Sequence, residues 1–169
     1  MTARDAAAPA ASEGRSRPLR IRVLSGPNLD LLGTREPDIY GTRTLADIHR
    51  ALDAAAKERD VELECLQSNH EGDLATWIGH ARLDGFDGVV VNAAALTHTS
   101  LVLYDAARAC GVPVVEVHLS NPEAREAYRR RSRIAPACLG KVSGFGAASY
   151  LLGLLALVDH LRGGGPLSG

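Results

Sequence analysis

The chain has 169 residues, 20 acidic and 19 basic side chains, and an aromatic fraction of 4%. Balanced charge argues against a polyanion-binding surface and scarce aromatics against a base-stacking platform, so a nucleic-acid partner is not expected. No apolar run approaches the roughly 20 residues of a membrane span, and the length suits one domain with a full core.

Residues 1–18, rich in Ala, Pro, Ser and Arg, lack the apolar stretch of a secretion signal and are expected to be a disordered N-terminal extension. Residues 19–162 form a single α/β domain, and 163–169, opening on Gly163-Gly164-Gly165-Pro166, a flexible tail. The three cysteines, Cys65, Cys110 and Cys138, are odd in number and unevenly spaced in apolar segments. They are read as reduced thiols of a cytoplasmic core. Neither CxxC nor HExxH occurs, so no metal site is expected.

Short apolar runs alternate with helical patterns. Ile21-Arg22-Val23-Leu24 is the first predicted strand. Thr44 can cap a helix whose apolar face is Leu45, Ile48, Leu52 and Ala55. The run from Val61 to Leu66 alternates strictly, which suits an edge strand. A helix is predicted over Asp73–Arg82, with Leu74, Trp77, Ile78 and Ala81 inward. Gly88–Val91 is a buried strand, and Ser100–Cys110 a helix stopped by Gly111 and Pro113. Val114–Leu119 is the fourth strand. Asn121-Pro122-Glu123 carries a cap, a first-turn Pro and an acid, and predicts another helix. Leu139–Ser143 is a short fifth strand, and a last helix over Ala147–Leu161 buries Leu151, Leu154, Leu155 and Val158. This alternation predicts a flavodoxin-like α/β fold: a five-stranded parallel sheet with helices on both faces.

The stretch Ser25–Gly41 is too long for an ordinary strand-to-helix connection. It carries Asn28, Arg35, three carboxylates and Tyr40, and reads as a lid. Ligands of open parallel sheets bind beyond the carboxyl ends of the strands. Asn28 follows the first strand and Asn92 the third, while Glu116, His118 and Ser120 share one face of the fourth. A carboxylate two residues before a histidine on one face can hold the imidazole protonated, as a general acid requires. Thr97-His98-Thr99-Ser100 presents hydroxyls and an imidazole near the same edge, beside the capping that Thr99 or Ser100 would perform. Leu119 and Ser120 precede a predicted helix start that suits an anion. Arg125 and Arg129 are four apart on one face of that helix. Neither GxGxxG nor a P-loop follows the first strand, so a dinucleotide or flavin-phosphate site is not expected.

These residues resemble the type II 3-dehydroquinate dehydratases. The resemblance rests on Gly26-Pro27-Asn28-Leu29, Arg35-Glu36-Pro37, Tyr40-Gly41, Gln67-Ser68-Asn69-His70-Glu71-Gly72, Asn92, Thr97-His98-Thr99-Ser100, Glu116-Val117-His118-Leu119-Ser120-Asn121, Arg125, Arg129 and Gly144-Phe145-Gly146. It implies a dehydratase that takes 3-dehydroquinate to 3-dehydroshikimate and water, in the shikimate pathway and quinate breakdown. It also implies a cytoplasmic homo-oligomer, a dodecamer built of trimers, using no cofactor, metal or Schiff base. Position by position, Tyr40 would be the base, activated by Arg35 with Arg125 contributing. Asn28 would hold the water that meets the enolate, and His118, oriented by Glu116, would be the acid. Asn92, Leu119 and Ser120 would bind the substrate carboxylate and its neighbours, His98 and Arg129 the ring hydroxyls. Asp105 would reach a neighbouring subunit's site. The chemistry asks for such groups: bringing a tyrosine from a pKa of about 10 to near 7 needs ~4 kcal/mol of phenolate stabilisation. After Asn92 the family commonly has a glycine where this chain has Ala94, so a left-handed, strained Ala94 is expected.

Overall fold

The computed structural model describes residues 17–34 and 42–163. Strand β1 spans Leu19–Ser25, β2 Val61–Gln67, β3 Gly88–Asn92, β4 Val114–His118 and β5 Gly140–Ser143. Helix α1 spans Leu45–Lys57, α2 Glu71–Gly79, α3 Leu101–Ala109 and α4 Ala148–Leu161. All strands are parallel, in the order β2-β1-β3-β4-β5, which is the flavodoxin-like order. The expected edge strand is thus an edge, and the direction of winding across the sheet reverses between β1 and β3. Register sets Ser25 beside Asn92 and Val91 beside Glu116. The polar ends of β1, β3 and β4 therefore meet at the switch point.

Each sheet face has its own core. Helices α1 and α4 cover one, packing Leu52, Leu154 and Leu157 on Ile21, Val90 and Val115. Helices α2 and α3 cover the other, packing Leu74, Ile78 and Leu103 on Leu24, Val89 and Val91. Each such fully buried side chain contributes about 1.5–3 kcal/mol of transfer free energy. Among the described residues, no helix is long and apolar enough to cross a membrane.

Local chemistry explains the boundaries. Thr44 and Asp47 form a reciprocal capping box at α1, the Thr44 Oγ1 accepting from the Asp47 amide at 3.1 Å and the Asp47 carboxylate accepting from the Thr44 amide at 2.9 Å. The inward face of α1 ends on Ala56, one position beyond the expected Ala55, because burial follows the 3-4-4 spacing from Leu45. Helix α2 begins at Glu71, two residues early, since Ser68 takes the His70 amide and donates to Asp73 ahead of it. It ends at Gly79, and Ala81 is buried in the following turn. Ser100 caps α3 by accepting from the Leu103 amide. In α4, Leu154 and Val158 are buried as expected, but Tyr150, Gly153 and Leu157 face the sheet while Leu151 and Leu155 are half-buried. Gly153 sets that register: a Cβ there would lie 2.5 Å from Val117 Cγ1, so the helix rests directly on β4.

The helix predicted from Asn121 does not form. Asn121 does cap, accepting from the Glu123 amide, but only a 3-10 turn over Pro122–Ala124 follows, then another over Ala127–Arg129. The reason is that four charged side chains fall between Glu123 and Arg129 with only Ala124, Ala127 and exposed Tyr128 among them, so no apolar stripe pays for a longer helix. Arg125 and Arg129 accordingly sit on irregular backbone, and the anion-binding helix end expected beyond Ser120 is a single short turn.

Candidate active site

The floor of the site is two strand ends held in contact. The Gly26 amide donates to the Asn92 carbonyl at 2.8 Å. A Cβ on Gly26 would stand 2.7 Å from the Ala93 carbonyl oxygen, so only glycine admits this approach. Asn28 adopts a left-handed conformation (φ 64°), with its amide donating to Asn69 Oδ1 at 2.8 Å. Gln67 Nε2 braces the same loop, donating to the Gly26 carbonyl and to Asn69 Oδ1. Asn92 Oδ1 accepts from the Ala94 amide at 3.2 Å, a tight turn that puts Ala94 at φ 50°, the strained backbone expected there. Below, Tyr150 is fully buried, its hydroxyl 2.9 Å from Ser25 Oγ. Burial pushes this phenol up, against smaller opposing effects of Ser25 and Asn92.

The back wall is a buried carboxylate. Glu116 is wholly inaccessible, and its Oε1 lies 2.6 Å from His118 Nε2. A carboxylate accepts, so Nε2 carries a proton and Nδ1 is the ring nitrogen left over. The Thr97 hydroxyl donates to Oε1, and Ser132 Oγ lies 3.0 Å from Oε1 and 2.9 Å from Oε2. Burial pushes the Glu116 carboxyl up. The hydrogen bond and charge of His118, with the Thr97 and Ser132 hydroxyls, outweigh it and hold Glu116 below its ordinary value.

The cleft above this wall is lined by Asn28, Asn92, His98, His118, Leu119, Ser120, Arg125 and Arg129, with Pro27, Leu29, Leu32, Ala94, Ala95 and Pro122 filling between. No lining residue among those described is acidic, and two are guanidinium groups, so the cleft favours an anion. Both arginines lean on Glu126, at 3.4 Å from Arg125 Nε and 3.1 Å from Arg129 Nε. His98 Nδ1 is 2.9 Å from the Arg131 carbonyl; a carbonyl accepts, so Nδ1 is protonated and Nε2 is the other ring nitrogen.

Eight of the twelve candidate residues thus share one cleft, and Glu116 backs it. Asp105 lies apart, exposed on α3. Arg35 and Tyr40 lie outside the described residues. Ser132 is a polar partner that motif reading missed. It is 16 residues from Glu116 within an arginine run, and its only local signal is a hydroxyl three residues before the Ala135 amide that it accepts from.

A model of the family "dehydroquinase class II" matches residues 19–158. The chain is 56% identical over 144 residues to a 3-dehydroquinate dehydratase of Gloeobacter violaceus, covering 85% of this chain and 89% of that one. It is 51% identical over 144 residues to that of Geotalea daltonii, covering 85% and 99%. The crystal structure of a type II dehydroquinase from Butyrivibrio crossotus superposes with a TM-score of 0.81 at 37% identity, covering 83% of this chain and 97% of that one.

Proposed function

The chain belongs to the dehydroquinase class II family, and on that footing we propose that it dehydrates 3-dehydroquinate to 3-dehydroshikimate, with Tyr40 as base and His118 as acid. The observation that carries the reading is the Glu116–His118 pair: a buried, ionised carboxylate bonded to an imidazole that opens on a cationic cleft. The substrate carries a carboxylate, which suits the Asn92 side chain and the Leu119–Ser120 backbone in a cleft lined by arginines and by no described acidic residue.

The reaction runs as an elimination through an enolate. The Tyr40 phenolate takes a proton from the carbon beside the ketone, and the C–H electrons move onto the ketone oxygen. A water held by Asn28 donates to that developing oxyanion. The enolate then expels the hydroxyl, which leaves as water with a proton from His118. Return of the proton from Tyr40 to His118 resets both groups. The Glu116 carboxylate accepts from Nε2 and fixes a proton there, leaving Nδ1 as the ring nitrogen that faces the leaving group. Arg35 stands five residues before Tyr40 in the sequence, both within the stretch read as a lid. Thr42, the first described residue after that stretch, flanks a depression sharing Leu119, Ser120 and Arg125 with the cleft. Asn92 and Ser120 hold the carboxylate end, His98 and Arg129 the ring hydroxyls.

The reading extends to a cytoplasmic homo-oligomer, a dodecamer of trimers, in which the exposed Asp105 reaches a neighbour's cleft. Light scattering and an Asp105→Ala variant test this: a smaller particle with full activity contradicts it. The catalytic test is the absorbance of the conjugated enone that forms from 3-dehydroquinate. Product formation by the purified chain, abolished in Tyr40→Phe, supports the proposal. No product, or borohydride trapping of a lysine adduct with substrate, overturns it.

A further inference from the structure

Building on that acid–base reading, we propose that Ser132 is a positioning residue for the acid, holding the Glu116 carboxylate in place for His118. Its hydroxyl has one proton to give. The Ala135 amide donates to Ser132 Oγ at 2.9 Å, and the Thr97 hydroxyl, its Oγ1 3.2 Å from Ser132 Oγ, gives its own proton to Oε1, so the Ser132 proton turns toward Glu116. There it lies between both oxygens, 3.0 Å from Oε1 and 2.9 Å from Oε2. Oε1 also receives His118 Nε2 and the Thr97 hydroxyl, whereas the hydrogen bond at Oε2 comes from Ser132. Without it the carboxylate could pivot about Oε1, and the direction in which it holds the imidazole would be lost.

The chain around Ser132 ties this restraint to the rest of the cleft. The Arg133 amide donates to the Thr97 carbonyl at 2.7 Å, and His98 Nδ1 donates to the Arg131 carbonyl at 2.9 Å. Residues 131–133 thus form a strap bonded to the Thr97–His98 turn on one side and to Glu116 on the other. The strap begins two residues after Arg129, so groups assigned to ring hydroxyls and to the acid share one backbone segment. Among the described residues, the charged or titratable groups facing Glu116 are His118 on its own strand and the Cys138 thiol, which burial pushes up to about 12 and the Glu116 charge pushes the same way. Thr97 and Ser132 complete the surroundings with neutral hydroxyls.

The test compares Ser132→Ala with Ser132→Thr, which keeps the hydroxyl. For Ser132→Ala kcat should fall about 10-fold, the effect expected for one hydrogen bond to a charged group, with KM within about twofold; Ser132→Thr should recover most of it. The second readout needs no turnover: the nitrogen NMR spectrum of the His118 imidazole, in which Ser132→Ala should broaden or shift the Nε2–H signal and Ser132→Thr should not. If wild-type protein fails to dehydrate 3-dehydroquinate, the reading of the reaction falls, and the imidazole spectrum still decides the positioning role. An unchanged kcat with an unchanged spectrum in Ser132→Ala overturns the inference. So does equal loss in the alanine and threonine variants together with a lowered melting temperature, which marks Ser132 as a turn residue only.

Discussion

The two ends of the sheet each bury a charge, and they do it in opposite ways. At the amino-terminal end Arg22 is 5% exposed and spends its donors on Glu64 at 2.6 Å, Asp84 at 2.9 Å and the Trp77 carbonyl at 2.8 Å, with its guanidinium over the Phe86 ring at 4.1 Å. A guanidinium keeps its protons, and its carboxylate partners are 42% and 45% exposed, so this network is fixed and solvated from outside. At the carboxyl-terminal end the buried charge is the carboxylate, and its charged partner is an imidazole on a cleft. Only there can a proton leave and return. Buried ionic groups do not mark an active site by themselves; a buried group that restrains a titratable partner at a cavity does.

The largest effects should separate the two ends. His118→Ala and Tyr40→Phe should each lower turnover by about 10²–10⁴-fold; His118→Ala should also lower the thermal transition, because it takes from the buried Glu116 carboxylate the partner that most offsets its burial. Near-normal turnover in either would break the contrast at its catalytic end. Glu116 also gives a pH signature. Its folded-state value lies below the ordinary 4.5, so its stabilisation is complete above that value and is lost as pH falls through the lower folded-state one. Glu116→Gln should therefore be less stable than the parent at neutral pH and lose less stability on acidification, as urea titrations across the acid range would measure. A steeper acid loss in the variant would contradict this sign.

Arg22→Met should act on stability alone. It removes two ion pairs and a stacked cation but leaves carboxylates that water can reach, so a loss of about 2 kcal/mol is expected, less than for a fully buried pair. Chemical denaturation reads the loss, and kcat of the folded fraction should be unchanged. Gly26→Ala forces a Cβ against the Ala93 carbonyl and should destabilise by about 1–2 kcal/mol. It also shifts the loop carrying Asn28, so turnover should drop as well, which sharpens the contrast with Arg22. The smallest effect is a gain. Ala94→Gly relieves a left-handed alanine, worth about 1–2 kcal/mol, and gives back part of this as unfolded-chain entropy, about 0.4–1 kcal/mol. A net stabilisation near 0.5 kcal/mol, seen in the thermal midpoint, is expected.

The sheet was legible because its strands are short, apolar and separated by strong stop signals, and the strand order followed from the parallel pattern. The Glu116–His118 pairing was legible because period two forces both onto one face. The helix after β4 was misread because a cap, a proline and an acid mark a helical start without guaranteeing length; the apolar stripe that would carry it is missing from residues 123–129. Ser132 was not legible because its partners, Thr97 and Glu116, meet it only through the fold. The strain at Ala94 was legible from a single departure in a familiar pattern, since an alanine there must take the backbone that a glycine takes elsewhere.

The most direct test of the central claim is where the proton sits on His118. Nitrogen NMR of the labelled imidazole, recorded from mildly acidic to mildly alkaline pH, reads it without reference to rate. Nε2 should carry a proton throughout, because the Glu116 carboxylate accepts there. An imidazole that loses its Nε2 proton and keeps the one on Nδ1 would contradict the account.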